Sequence, residues 1–232
     1  MIRALVWKDL SAWWAGPVPF VVGAAFQAVL GVLMVNQLQV RDQAVLQPLF
    51  PVAGFLLLLV VPVLAMRTLA EESRTGTLDV LAVVPVSATR LVVAKWLATW
   101  LTTLVVVVPA GLFALLVSLW GDPDAGPAVS GFVGLALLAA ALSGVGVLAS
   151  AATDSQPIAA MTALFATVVA WFAHVGDEAA GDAGLLAAIS LSERLRLFAG
   201  GAIDTGDVTF FLALTAGSLV SAAAVVDLRR LR

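Results

Sequence analysis

"MRTLAEESRTGTLDVLAVVPVSATRLVVAKW", Met66 to Trp96, decides the fold of this chain because charge is concentrated there. On either side lie long runs of Val, Leu, Ala and Phe. Of the 232 residues, 62% are hydrophobic and only 12% charged, where a soluble domain carries about 25% charged residues. Half the usual charge does not cover a water-facing surface, so most of this surface meets lipid. Met66–Trp96 is then a polar loop between membrane helices.

A helix needs about 20 mostly apolar residues to cross roughly 30 Å of hydrocarbon. Six segments qualify: 18–36, 49–66, 96–119, 128–150, 157–175 and 208–226. None holds an interior charge, as expected where burying one costs several kcal/mol. Pro17, Pro48, Pro127 and Pro157 stand at or just before helix starts. Pro62 and Pro109 lie inside spans and predict kinks. With both termini in the cytoplasm, Arg3, Lys8, Arg67, Arg74, Arg90, Lys95, Arg229, Arg230 and Arg232 face inward, and only Arg41, Arg194 and Arg196 face outward. The positive-inside rule favours this orientation. Trp96, Trp100, Trp120 and Trp171 are expected to mark the two membrane interfaces. Residues 1–16 read as an amphipathic helix in the cytoplasmic interface, with Ile2, Leu5, Val6, Trp13 and Trp14 set against Arg3, Lys8 and Asp9. They do not read as a cleaved signal peptide. The fold class expected is all-α: a single polytopic domain over 1–232.

The loop 67–95 is punctuated. Arg67 to Thr75 contains no helix breaker, so the second span is expected to continue into water for about two turns. Gly76 is a natural left-handed stop, Thr77 caps a short helix through Val84, and Pro85 ends it. Ser87 caps the next helix, which through Leu119 would reach about 50 Å. The short bridge carries Leu78, Val80, Leu81 and Val83 at the tip of the loop. Such a helix either seats in a partner's groove or lies on headgroups and its own neighbours. Glu71 and Glu72, placed near a helix C-terminus, oppose its dipole and call for a cation from Arg67, Arg90 or a partner.

The pattern Arg67-x-x-x-Glu71-Glu72-x-x-x-Gly76-Thr77-Leu78-x-x-Leu81-x-x-x-Pro85-Val86, followed by Lys95, resembles the ABC-2-type transporter permeases, the membrane subunits of ATP-binding-cassette exporters. The resemblance is strongest to the gliding-motility and nitrous-oxide-reductase-maturation branch. A second segment, with Glu193, Arg194, Phe198, Gly201, Ile203, Asp204, Asp207 and Val208, resembles the same branch before its last span. The resemblance implies that Thr77–Val84 is a coupling helix seated on a separate ATPase, with Glu71 and Glu72 beside it. It implies two ATPase subunits that bind ATP and Mg, a second permease chain as homodimer or heterodimer, and a place in a bacterial plasma membrane. Within it, residues 176–207 would form short helices at the outer leaflet that close the pathway, among them the segment with Glu193, Arg194, Phe198 and Asp204.

Leu185, Leu186, Ile189, Leu191, Leu195 and Phe198 give that outer segment a partial amphipathic pattern, with Ser192 as a possible cap. His174 reads as an interfacial side chain. A phosphate loop, G-x-x-x-x-G-K-[ST], is absent, so this chain is expected to bind no cofactor and to be no enzyme. The spans lack the carboxylate pairs, metal sets or activated serines of intramembrane proteolysis. Zero cysteines exclude disulfides and thiolate chemistry, and a net charge of −3 without a basic tract argues against nucleic acid. Small residues around Gly144, Gly146 and Ala149 allow close helix contact within or between subunits. Alternatives to a permease are a membrane module that transmits ATPase motion without transport, and a haem-exporter-like permease. The Gly201-x-Ile203-Asp204 segment argues against the latter.

Overall fold

The computed structural model describes residues 2–40, 45–74, 87–120, 124–180, 184 and 186–230. Its elements are α1 (Ile2–Trp14), α2 (Val18–Val40), α3 (Leu49–Ala65), α4 (Ala70–Arg74), α5 (Ala88–Val107), a 3₁₀ turn (Val108–Ala110), α6 (Gly111–Trp120), α7 (Ala125–Ala152), α8 (Gln156–Trp171), α9 (Ala173–Ala180), a second 3₁₀ turn (Ala187–Ile189), α10 (Leu191–Ala199) and α11 (Thr205–Arg230). No strand occurs among the described residues. Among the described residues five helices are long and apolar enough to cross a membrane: Val18–Gln39, Leu49–Glu72, Ala88–Leu119, Ala125–Ala152 and Thr205–Arg230. The segment expected as a fifth span, 157–175, is a shorter apolar helix of 16 residues, Gln156–Trp171. At 1.5 Å per residue α8 rises about 24 Å.

The bundle is built around α7, which packs against α3, α5, α8, α10 and α11. Its glycines are where neighbours come closest. A Cβ on Gly131 would stand 2.4 Å from the Phe50 ring of α3, and one on Gly146 would stand 2.4 Å from Ala65 Cβ. A Cβ on Gly134 would meet Phe198 of α10 at 2.7 Å. The small residues of α7 thus serve contacts inside this chain. Trp96 and Trp100 of α5 stack on each other with centroids 5.4 Å apart. Their indole N–H groups donate to the carbonyls of Ala140 (2.9 Å) and Ala136 (3.0 Å), one turn apart on α7. Trp171 is buried against α3. Trp96 and Trp100 therefore also have a packing role, because their N–H groups find backbone acceptors on α7.

Pro109 acts as expected. Lacking an N–H, it forces the 3₁₀ turn between α5 and α6, which leaves carbonyls without helical donors. The Gln27 side chain of α2 donates to one of them, Val106 O, at 2.7 Å. Pro62 leaves α3 helical through Ala65. A turn at 66–69 separates α3 from α4, so the helix does not run unbroken past Arg67. Thr68, Leu69 and Ala70 are buried. One side chain on α7 repairs this break. The Ser150 hydroxyl accepts from the backbone N–H groups of Leu69 and Ala70, both at 3.0 Å, and donates to Met66 O at 3.1 Å. Outward-facing Val32, Leu119, Phe165 and Val220 are each more than two-thirds exposed, as suits a lipid-facing surface.

Replacing Gly146 with Val is expected to cost about 1–3 kcal/mol through overpacking against Ala65. Gly217→Ala on α11, where an added Cβ meets nothing within 4 Å, is expected to leave stability unchanged or raise it slightly. Thermal unfolding of the two variants in detergent checks both signs.

Candidate functional site

The polar loop is rooted in a buried ion cluster. Lys95, on the second turn of α5, is 5% exposed. Its ammonium lies 2.6 Å from Glu72 Oε1 on α4 and 3.0 Å from Asp9 Oδ1 on α1. Lys8 adds a longer contact to Glu72 at 3.7 Å. A buried ammonium requires such partners, since an isolated charge in low dielectric is costly. The expected Arg67–Glu71 pair is present at 3.8 Å, with both side chains nearly half exposed. Glu72 finds its cation in Lys95, and Arg90 is exposed with its backbone N–H on the Ser87 cap at 3.4 Å. The break at 66–69 also changes the dipole reading: Glu71 and Glu72 occupy the first turn of α4 instead of the last turn of α3, where carboxylates are tolerated.

Burial raises the Asp9 carboxyl pKa above its ordinary value, against the lowering effect of the adjacent Lys95 ammonium. Asp9 Oδ2 is buried with no hydrogen-bond partner among the described residues. Beside the cluster lies a cavity of about 360 Å³, bounded by α1, the start of α2, the α3–α4 junction and α5. Its polar side carries Lys8, Asp9, Arg67, Glu71, Glu72 and Lys95, and its apolar side includes Trp13, Val18, Pro19 and Leu64. Gly76, Thr77, Leu78, Val80, Leu81 and Pro85 lie outside the described residues. Their two flanks, α4 and the Ser87-capped start of α5, are the elements that Lys95 joins.

At the opposite end of the bundle, α10 is packed among α3, α7 and α8. Leu195 and Phe198 are fully buried, and Ser130 of α7 donates to Phe198 O at 2.6 Å. Arg194 lies 2.6 Å from Asp207 Oδ1 and 4.0 Å from the Phe210 ring centroid of α11. Its Nε donates to Ala188 O at 2.9 Å. Glu193 makes a surface pair with Arg196 at 2.9 Å. Asp204 is an exposed cap whose Oδ1 accepts from Gly206 N–H at 2.7 Å. Ser192 is not the cap of α10; Ser190 occupies that position. The Ser192 hydroxyl instead donates to Trp171 O at 2.8 Å and lies 3.2 Å from His174 Nδ1, which places His174 in a partly buried knot.

Asp9, Ser150 and Asp207 were not singled out by sequence reasoning as site residues. Asp9 reads as one polar residue of an amphipathic helix, and Ser150 as one small residue among many. Asp207 belongs to the second motif, and its burial at 5% exposure marks it afterwards as the partner of Arg194.

Lys95→Met is expected to leave two carboxylates facing each other without their cation. The cost should be about 3–5 kcal/mol, against well under 1 kcal/mol for the exposed Arg196→Ala; detergent melting curves compare them. Asp9 supplies a pH test. A raised folded-state pKa means the folded chain holds this proton more tightly, so Asp9 favours folding increasingly as pH falls through that pKa towards 3.8, and the gain is lost as pH rises through it. In Asp9→Asn that acid-side slope should flatten in a pH series of melting temperatures.

A family model described as "ABC-2 family transporter protein" matches residues 33–176, well over half of the chain. The matched stretch contains Glu71, Glu72, Lys95, Ser150 and the whole polar loop, and stops before α10 and α11. A comparison with curated proteins returns no match.

Proposed function

The chain belongs to the ABC-2 family of transporter proteins, as a multi-pass permease subunit of an ABC transporter, and we propose that it is driven through the loop 67–95. ABC-2 permeases work with ATPase subunits. In this reading two separate ATPases bind ATP and Mg, and this chain performs no hydrolysis and holds no cofactor. The segment Thr77–Val84 seats on an ATPase through Leu78, Val80 and Leu81, with Glu71, Glu72, Gly76 and Pro85 shaping its approach. Both termini and this loop face the cytoplasm of a bacterial cell, and α8 with α9 serves as a short sixth span. A second permease chain, identical or related, completes the pathway, and transport runs outward. The likeness to the gliding-motility and nitrous-oxide-reductase-maturation branch supports the outward direction.

The observation that carries this reading is the Lys95 cluster. An ammonium buried between α1, α4 and α5 makes the two flanks of the loop and the interfacial helix one mechanical unit. A displacement at the tip then reaches three elements together. The expected response is a shift between two packings of the bundle, with the ATPase supplying the differential free energy. At the other end, Arg194 and Phe198 hold the outer segment between α7 and α11, where it closes the pathway, with Glu193 and Asp204 at its exposed edge.

Mild-detergent extraction of the tagged chain, followed by mass spectrometry, is expected to recover a phosphate-loop protein in near one-to-one amount. Leu78→Asp with Leu81→Asp should abolish that recovery while the melting temperature of the chain is unchanged. Undiminished ATPase recovery with the double variant would remove the docking assignment.

A further inference from the structure

The cavity beside Lys95 is walled by two chemistries. One side presents three cationic and three carboxylate side chains, and the other presents Trp13, Val18, Pro19 and Leu64. It lies at the elbow where α1 ends and the chain turns into the first apolar span. Amphipathic α1 belongs at the headgroup level, so the polar wall sits at headgroup depth with apolar wall beside it. A volume of about 360 Å³ falls within the size range of small-molecule sites.

We propose that this cavity binds the headgroup of a membrane phospholipid carrying a primary ammonium, of the phosphatidylethanolamine class. Lys8 and Arg67 have side chains 64% and 48% exposed and make only long ion pairs, at 3.7 and 3.8 Å, so both have donors in reach of a phosphate for charge-assisted hydrogen bonds. The ammonium turns toward Asp9, whose Oδ2 lacks a donor among the described residues. The raised Asp9 pKa fits a carboxylate short of compensation. Carboxylates on the same wall disfavour a headgroup of net negative charge, such as phosphatidylglycerol. A choline headgroup has no N–H to give Asp9. The apolar wall favours an acyl-bearing ligand over a free phosphate ester. The inference requires only that the α1 end lies at a membrane surface, and it stands apart from the ATPase docking proposed above.

The test is native mass spectrometry of the full chain in mild detergent. Phosphatidylethanolamine, phosphatidylcholine and phosphatidylglycerol of one acyl composition are added singly, with phosphoethanolamine as the water-soluble probe. One phosphatidylethanolamine per chain should be retained roughly tenfold better than either other lipid, and phosphoethanolamine should not displace it at equal concentration. Lys8→Ala, an exposed change that leaves Lys95 paired, should weaken retention of all three lipids, whereas Asp9→Asn should remove most of the preference. Equal retention of the three lipids would overturn the proposal, as would a preference that survives Asp9→Asn or a phosphatidylethanolamine retention that Lys8→Ala leaves undiminished. Capture of phosphoethanolamine in place of the lipid would make the site one for a soluble phosphate ester and overturn the membrane source. If Asp9→Asn fails to fold, the lipid comparison and Lys8→Ala decide alone.

Discussion

A single ammonium, that of Lys95, sets the architecture of one end of this molecule. Placed on the second turn of a membrane helix and almost fully removed from solvent, it is tolerable only with carboxylates at hydrogen-bonding distance. Asp9 and Glu72 come from two separate elements, the interfacial helix and the short helix beyond the break in α3, and Lys95 joins both to α5. The charge therefore does what hydrophobicity does poorly in lipid. Where the surrounding solvent is as apolar as the side chains, burying leucine against leucine gives little preference for one neighbour over another. An ion pair in the same place has one solution.

The rest of the bundle is specified by a second rule suited to lipid, which is close backbone approach combined with complete hydrogen bonding. α7 supplies both. Its glycines admit Phe50, Phe198 and Ala65, and its carbonyls and Ser150 take up donors that other helices leave over. Ser150 is the clearest case. It accepts from Leu69 and Ala70 and donates to Met66, so three backbone groups at the break in the second membrane helix find partners on α7. The break in turn brings Glu72 into reach of Lys95.

Much of this was legible in the sequence. Composition alone dictates a lipid-facing all-helical chain, and five of the expected spans are found as helices of sufficient length. Ser87 caps α5 and Pro109 interrupts it as their chemistry demands. The features missed share one cause. The break at 66–69, the indole bonds of Trp96 and Trp100, and the pairing of Lys95 with Asp9 all depend on residues more than twenty positions away. Local punctuation carries no information about such partners. Arg67–Glu71, an i,i+4 pair, was readable because its geometry is local. Ser150 was not, because a serine in a run of alanine and glycine looks like any other small residue until the broken helix lies beside it.

The hydrogen bond from Gln27 to the Val106 carbonyl spans 79 residues of sequence, and that separation has a consequence in time. A chain made at about 5–20 residues per second completes α2 several seconds before the carbonyl that Gln27 needs exists. Asp9 waits for Lys95 over a still longer interval, 86 residues. Polar groups on α1 and α2 thus exist before their partners on α5 have been synthesised, and these contacts form only once α5 arrives. Early assembly belongs to the bilayer and its insertion machinery, and the native arrangement of the N-terminal third is written retroactively.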